Sequence, residues 1–187
     1  MEIKQFTANC KLLEDEKGEA YIEGLASTFH NVDRHGDVID ESAFDHQIDE
    51  INRKGLRFLD SHSNRSVMQI IGKVYHIEKI PGVGLKFRAK FAPTESAQQA
   101  RLLAKEGFVD TFSIGFITHE DEWQKGVRII KKVELLEISL VAVPANAQAT
   151  MSDVKSNNKE KQMTEPNKKE EKAASESRSS EALNEVL

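Results

Sequence analysis

The apolar positions of this chain repeat with a two-residue period more often than with a helical one. Ala20–Ser27, Leu56–Leu59, Gln69–Ile80, Leu85–Phe91, Phe108–Ile117 and Val127–Val143 are rich in β-branched and aromatic residues and predict strands. Pro81-Gly82-Val83-Gly84 predicts a hairpin between two of them, and the alternation of Leu85, Phe87, Ala89 and Phe91 gives a sheet with one buried face. Two stretches carry helical spacing instead: Ala43–Arg53, with Phe44, Ile48 and Ile51 on one face, and Glu95–Glu106, with Ala100 and Leu103 inward. Ser42, backed by Asp45, is the expected cap of the first, which Gly55 follows; Thr94 caps the second, which stops at Gly107. The helices do not alternate regularly with the strands, which argues against a doubly wound sheet. The expected class is therefore mostly β with flanking α-helices, built as a closed or nearly closed β-barrel.

Composition places a boundary on that pattern. The chain has 187 residues, 39% hydrophobic and 30% charged, enough for one domain and a tail. Residues 151–187 contain no aromatic residue and 7 Lys+Arg against 8 Asp+Glu, so they cannot bury a core of their own. All 9 phenylalanines fall before them. The folded domain is expected to be 1–150 and the rest a charged, flexible tail, with Ser179–Leu187 a short helix formed on a partner or simply a solvated end.

Charge and cysteine narrow the function classes. The net charge of -5 and the lack of a basic block in the first 150 positions leave no electrostatic footprint for nucleic acid. No apolar run approaches the roughly 18 residues that span a bilayer, and residues 1–20 lack the core of a signal peptide, so a cytoplasmic, membrane-free protein is expected. The single cysteine, Cys10, excludes an internal disulfide and any multi-cysteine zinc site.

Three positions could carry chemistry. In Phe112-Ser113-Ile114-Gly115-Phe116, strand alternation sets Phe108, Asp110, Phe112, Ile114 and Phe116 on one face and Thr111, Ser113 and Gly115 on the other. Gly115 leaves open space beside the Ser113 hydroxyl, although Thr111 breaks the GxSxG elbow of an α/β-hydrolase. Leu59-Asp60-Ser61-His62 delivers a histidine where an apolar strand opens into polar residues, and an imidazole titrating near about 6.5 suits a general base. Glu137 interrupts an apolar strand on a face assigned to Leu135, Ser139 and Val141; a carboxylate buried there needs a polar partner, for which a histidine Nδ1–H would serve. A structural serine, a surface histidine and an edge-strand glutamate are the bland alternatives to each.

His30-Asn31-Val32-Asp33-Arg34-His35-Gly36-Asp37 is dense in ligand-type side chains, but its spacing matches no metal motif. A tight turn into Val38-Ile39, with Asp33 and Asp37 bonding backbone amides, is expected. His46, His76 and His119 stand singly, and Trp123 is expected in a hairpin or loop.

Glu23-Gly24-Leu25-Ala26, Asp33-Arg34-His35-Gly36-Asp37-Val38-Ile39, Ala43-Phe44, Leu59-Asp60-Ser61-His62, Phe112-Ser113-Ile114-Gly115-Phe116, Leu136-Glu137-Ile138-Ser139-Leu140-Val141 and Pro144-Ala145-Asn146 together carry a family resemblance. In that order and spacing, over about residues 1–150, the chain resembles the prohead proteases that mature the capsids of tailed bacteriophages, relatives of the herpesvirus assemblins. The resemblance implies a herpesvirus-protease-like barrel and a serine endopeptidase in which Ser113 matches the nucleophile, His62 the general base and Glu137 the third member. An acid in that third place departs from the herpesvirus branch, which uses a second histidine. It further implies an oxyanion donor near Pro144–Ala147, no cofactor and no metal. The implied substrates are scaffold segments and the N-terminal region of the major capsid protein, together with self-cleavage, inside the assembling procapsid in the host cytoplasm. The implied partners are those capsid and scaffold proteins and a second copy of the chain. Activity is expected to fall as His62 protonates, below about pH 6–7 for an unshifted imidazole.

The tail would then tether the protease to scaffold or capsid subunits and be trimmed; alternatively, Met163 begins a separately translated peptide, with Lys159-Glu160 encoded by a ribosome-binding-like purine run. Two rivals stand beside the protease. One is a catalytically silent β-barrel assembly module. The other is a metal-dependent hydrolase using His30, Asp33, His35 and Asp37, which metal content and chelator sensitivity would reveal.

Overall fold

The computed structural model describes residues 11–14 and 20–150; the expectations for Cys10 and for 151–187 lie outside them. Eight strands, β1 (Lys11–Glu14), β2 (Ala20–Thr28), β3 (Asp37–Ile39), β4 (Leu56–Asp60), β5 (Ile70–Ile80), β6 (Gly84–Phe91), β7 (Thr111–Gln124) and β8 (Val127–Val141), form one sheet. Helix α1 (Ile48–Lys54) precedes β4, and α2 (Glu95–Lys105) precedes β7. The sheet runs β1-β2-β6-β5-β4-β8-β3, and β7 pairs with the remaining side of β8. β4 and β3 lie parallel to β8, and the other ladders are antiparallel.

The curl of this sheet encloses the core. Phe44, Phe58, Phe87 and Phe112 are fully buried, and the Phe87 and Phe112 rings meet edge to face with centroids 4.7 Å apart. Ile22, Ile77, Leu85, Val133 and Ile138 complete the same cluster. The sheet is a curled half-barrel: among the described residues no ladder joins β2 to β7. That gap is spanned by the end of the described chain, where the Ala149 carbonyl accepts the Phe112 amide and the Thr150 carbonyl accepts the Leu25 amide, each at 2.9 Å.

The β5–β6 hairpin and most strands follow the expected pattern, but β1 has no counterpart in it, β7 runs past Ile117 to Gln124, and the helices differ. Residues 41–47 form turns rather than the start of α1, because β8 takes up their backbone: the Asp40 amide donates to the Ile130 carbonyl and the Val133 amide to the Ala43 carbonyl. Ser42 does not cap the helix; its hydroxyl donates to Asp40 at 2.6 Å. Thr94 does cap α2, accepting the Ala97 amide. The buried side of α2 is Ala97 and Ala104 with Ala100 packed beside them, so Leu103, at 46% exposure, is not inward as expected. Gly107, in the left-handed region at φ +76°, ends that helix and turns Phe108 outward to 77% exposure, so β7 starts only at Thr111. Trp123 lies in β7 itself, just before the Lys125–Gly126 turn.

Candidate active site

β7 and β8 set the site by register. Ser113 is opposite Ser139 and Gly115 is opposite Glu137, whereas Phe116 is opposite Leu135. Leu136 is therefore an extra residue in β8, a bulge that reverses which side chains face the core. Val133 and Leu135 point inward before it, and Ile138 and Leu140 after it. This corrects the expected face: Glu137 shares a side with Ser139 but not with Leu135, whose burial is in the core. On the other edge of β8, Leu135 lies between the stretches paired by β3 and β4, and there the Gln47 side-chain oxygen accepts its amide at 2.7 Å.

β4 brings His62 to the same place. Running parallel to β8, it aligns Arg57 with Glu137 and Asp60 with Leu140. Beyond it the Ser61 amide donates to the Leu140 carbonyl, and Ser61 and His62 both adopt positive φ, +50° and +59°. These conformations disfavour non-glycine residues and turn the chain back over β8. The His62 amide then donates to Ser139 Oγ at 3.0 Å, and His62 Nδ1 lies 2.6 Å from Glu137 Oε1. Ser139 Oγ donates in turn to Glu137 Oε2 at 2.6 Å.

Glu137 is 8% exposed and Ser139 is fully buried, so the carboxylate meets its partners away from bulk water. The hydrogen bond to Glu137 raises the His62 pKa above the ordinary histidine value; partial burial opposes this and the carboxylate charge adds to it. With Nδ1–H donated to the carboxylate, Nε2 is left as the basic atom of the neutral ring. Gly115 is required here for space: a Cβ at that position would lie 2.2 Å from Glu137 Oε1.

Ser113 is buried at 4% exposure and lines a cavity of about 310 Å³ together with His62, Gly115, Ala145 and Asn146. Its hydroxyl makes no hydrogen bond to His62 or to any other described residue. A larger opening of about 740 Å³ shares His62, Gly115 and Phe116 with this cavity and extends past Ser63, Val67 and Leu136. Ser113, His62 and Glu137 thus come to one place from β7, the end of β4 and β8.

The Pro144–Ala147 loop forms part of the cavity wall and is tied down from below. Asn146 Nδ2 donates to Thr28 Oγ1 at 2.8 Å, and Asn31 Nδ2 donates to Asn146 Oδ1 at 3.1 Å. Arg34 donates from its guanidinium to the Pro144 carbonyl and from its amide to the Ala145 carbonyl.

The histidine-rich segment is a turn. Asp33 Oδ1 accepts the His35 and Asp37 amides at 2.8 and 3.0 Å, and Gly36 holds φ +85°. Asp37 does not bond an amide as expected; its carboxylate faces Arg128 at 3.6 Å. Asp33, His35 and Asp37 nonetheless line the Ser113 cavity, whereas His30 points to Glu41. Among the described residues no group of three or more His, Cys, Asp or Glu is arranged to hold a metal ion. His46 is exposed, His76 lies half-buried on β5, and His119 on β7 lies 3.5 Å from Glu134. Sequence reasoning gives no role to Ser139 or Gln47, and to Asn146 only membership of the stretch expected to supply an oxyanion donor. For Ser139 a signal existed, its spacing of two from Glu137 in a strand; Gln47 and Asn146 act through loops that no periodicity describes.

The comparisons with known proteins agree with one another. A family model described as caudovirus prohead serine protease matches residues 7–165. The prohead protease of Escherichia phage T5 is 36% identical over 149 residues, covering 78% of this chain and 68% of that protein. That of Enterobacteria phage HK97 is 30% identical over 142 residues, covering 74% and 61%. The chain therefore spans less than two thirds of the HK97 relative. The structure of the bacteriophage T4 capsid assembly protease superposes with a TM-score of 0.57 at 14% identity, over 72% of this chain and 92% of that one, a likeness of fold.

Proposed function

The chain belongs to the caudovirus prohead serine protease family and is a serine peptidase; from that premise we propose that Ser113 is its nucleophile, His62 its general base and Glu137 the group that orients and charges the base. The observation that supports this most is the 2.6 Å contact between His62 Nδ1 and a buried Glu137 oxygen beside a cavity that also holds the Ser113 hydroxyl. Ser113 Oγ attacks the peptide carbonyl carbon as its proton passes to His62 Nε2, and Glu137 stabilises the imidazolium that forms. The same proton goes to the amine nitrogen as the C–N bond breaks, leaving an acyl-Ser113 ester. Water then attacks the ester carbonyl as its proton passes to His62, and that proton goes to Ser113 Oγ as the acyl C–O bond breaks, releasing the acid.

The developing oxyanion needs backbone donors. We assign them to the Pro144–Ala147 loop, where the amides of Ala145, Asn146 and Ala147 have no acceptor among the described residues. The Ala149–Thr150 bridge completes the barrel wall in this reading and holds that loop at the mouth of the site. The substrates are scaffold segments and the N-terminal region of the major capsid protein, met inside the procapsid assembled in the host cytoplasm, and the chain's own residues beyond about 150, a tether that is then trimmed. Self-association accompanies that assembly.

The test is intact mass spectrometry of wild type and Ser113→Ala incubated in parallel, with capsid protein added. Cleavage in wild type at a rate on the order of 10⁴–10⁶ above the variant supports the triad. Equal cleavage in both removes Ser113 from the mechanism, and silence in both with procapsids present favours an assembly module without peptidase chemistry.

A further inference from the structure

Ser139 is fully buried, yet its hydroxyl touches both partners of the proposed base. It accepts the His62 amide at 3.0 Å and donates to Glu137 Oε2 at 2.6 Å, while the other Glu137 oxygen holds His62 Nδ1. These three contacts close a loop of hydrogen bonds: backbone of His62 to Ser139, Ser139 to Glu137, Glu137 to the ring of His62.

We propose that Ser139 is a positioning residue of the peptidase, locking the Glu137 carboxylate and the strained His62 backbone into one geometry so that the imidazole is held toward Ser113. The proposal rests on the reading of His62 and Glu137 as base and orienting acid. Two features make a hydroxyl the fitting group. The site needs one atom that donates to a carboxylate and accepts from an amide, which among small side chains Ser and Thr provide well and Cys only weakly. The register also demands a small residue, since Ser139 stands opposite Ser113 and a larger side chain would enter the nucleophile's surroundings.

The strain at Ser61 and His62 gives the contact its purpose. Consecutive positive φ values persist only where the surroundings over-determine them. Here Leu140 holds the Ser61 amide and Ser139 holds the His62 amide. Removing the hydroxyl releases the second anchor and frees one carboxylate oxygen, so that ring and acid lose their common reference. A purely structural serine would lower stability and leave the ring's chemistry as it was.

The experiment compares wild type, Ser139→Ala and Ser139→Thr in the full chain. One readout is the rate of Ser113 phosphonylation by a fluorophosphonate probe against pH; the other is the ¹⁵N NMR titration of the His62 ring. The charged groups near His62 are Glu137 of β8, Asp33, His35 and Asp37 across the cavity, and Arg57 of β4, all retained in these variants. Ser139→Ala is expected to slow labelling on the order of 10- to 100-fold and to move the His62 midpoint down toward that of an ordinary histidine. Ser139→Thr is expected to restore both. If Ser139→Ala does not fold, Ser139→Cys, with its weaker donor, takes its place and is expected to show the same direction. A folded variant with unchanged labelling and an unchanged midpoint overturns the proposal, whatever its melting temperature. Absence of labelling in wild type would instead overturn Ser113 as nucleophile, and the NMR midpoint would still decide the role of Ser139.

Discussion

Ser113 and Ser139 face each other across the β7–β8 ladder, one hydroxyl open to the cavity and the other committed to two hydrogen bonds. The same side-chain type thus stands in two electrostatic settings within one pair. What separates them is the neighbour two residues away in each strand: Gly115, which has no side chain, and Glu137, which needs the space.

That packing predicts the effect of Gly115→Ala. The added methyl would overlap Glu137 Oε1, and the carboxylate would have to leave His62. Labelling of Ser113 is expected to fall on the order of 100-fold, as for a misplacement of about 1 Å at a reacting group. Circular dichroism should show the strand content retained, and a fully active variant would contradict the assigned role of Glu137.

The raised pKa of His62 sets a pH dependence. The base must be neutral to act, so the acid limb of the phosphonylation rate is expected above about 6.5, the ordinary histidine value. Glu137→Gln should shift that limb down. Stability has the opposite sign: because the folded pKa is raised, the His62–Glu137 contribution is fully present below the unfolded-state pKa and is lost as pH rises through the folded one. Urea midpoints of wild type minus those of Glu137→Gln, measured across this window, should therefore shrink toward alkaline pH.

Gln47 is expected to matter for stability more than its place before a short helix suggests. Its side-chain oxygen is the acceptor for the Leu135 amide at the bulge, and Leu135 is 3% exposed. Gln47→Ala leaves that buried donor unpaired and should cost about 1–3 kcal/mol in chemical denaturation. Gln47→Glu, which keeps an acceptor, should cost less.

Asn146 links the cavity loop to β2 and the turn that follows it. Asn146→Ala is expected to loosen the Pro144–Ala147 loop, raising its protease sensitivity and lowering the labelling rate on the order of 10-fold or more. Loop loosening without any loss of rate would place the oxyanion donors elsewhere.

Much of the fold was legible in the sequence because its strands alternate cleanly around Phe87 and Phe112, where one buried face decides the period. The start of α1 was not. Phe44 and Ile48 carry helical spacing, but the Ala43 carbonyl is drawn into a hydrogen bond with β8, a tertiary demand that spacing cannot express. His62, Ser113 and Glu137 stand out in the sequence as polar residues on or just beyond apolar strands, and the structure sets His62 and Ser113 on one cavity with Glu137 bonded to the His62 ring. A strict two-residue period sets Glu137 on the Leu135 face because it cannot show an extra residue. For Ser139 the spacing of two from Glu137 is the one sequence signal, and it does not tell an idle serine from one that holds a histidine backbone.

The bulge at Leu136 makes chain length itself a determinant of the site. Upstream of it the odd-numbered residues Val133 and Leu135 lie in the core; downstream the even-numbered Ile138 and Leu140 do. Loss of this single residue with the earlier half of β8 held in place would exchange the two rows, sending Glu137 and Ser139 into hydrocarbon and Ile138 into the cleft. The strand is therefore intolerant of any insertion or deletion between Leu135 and Glu137, even one that leaves Glu137 and Ser139 themselves unchanged.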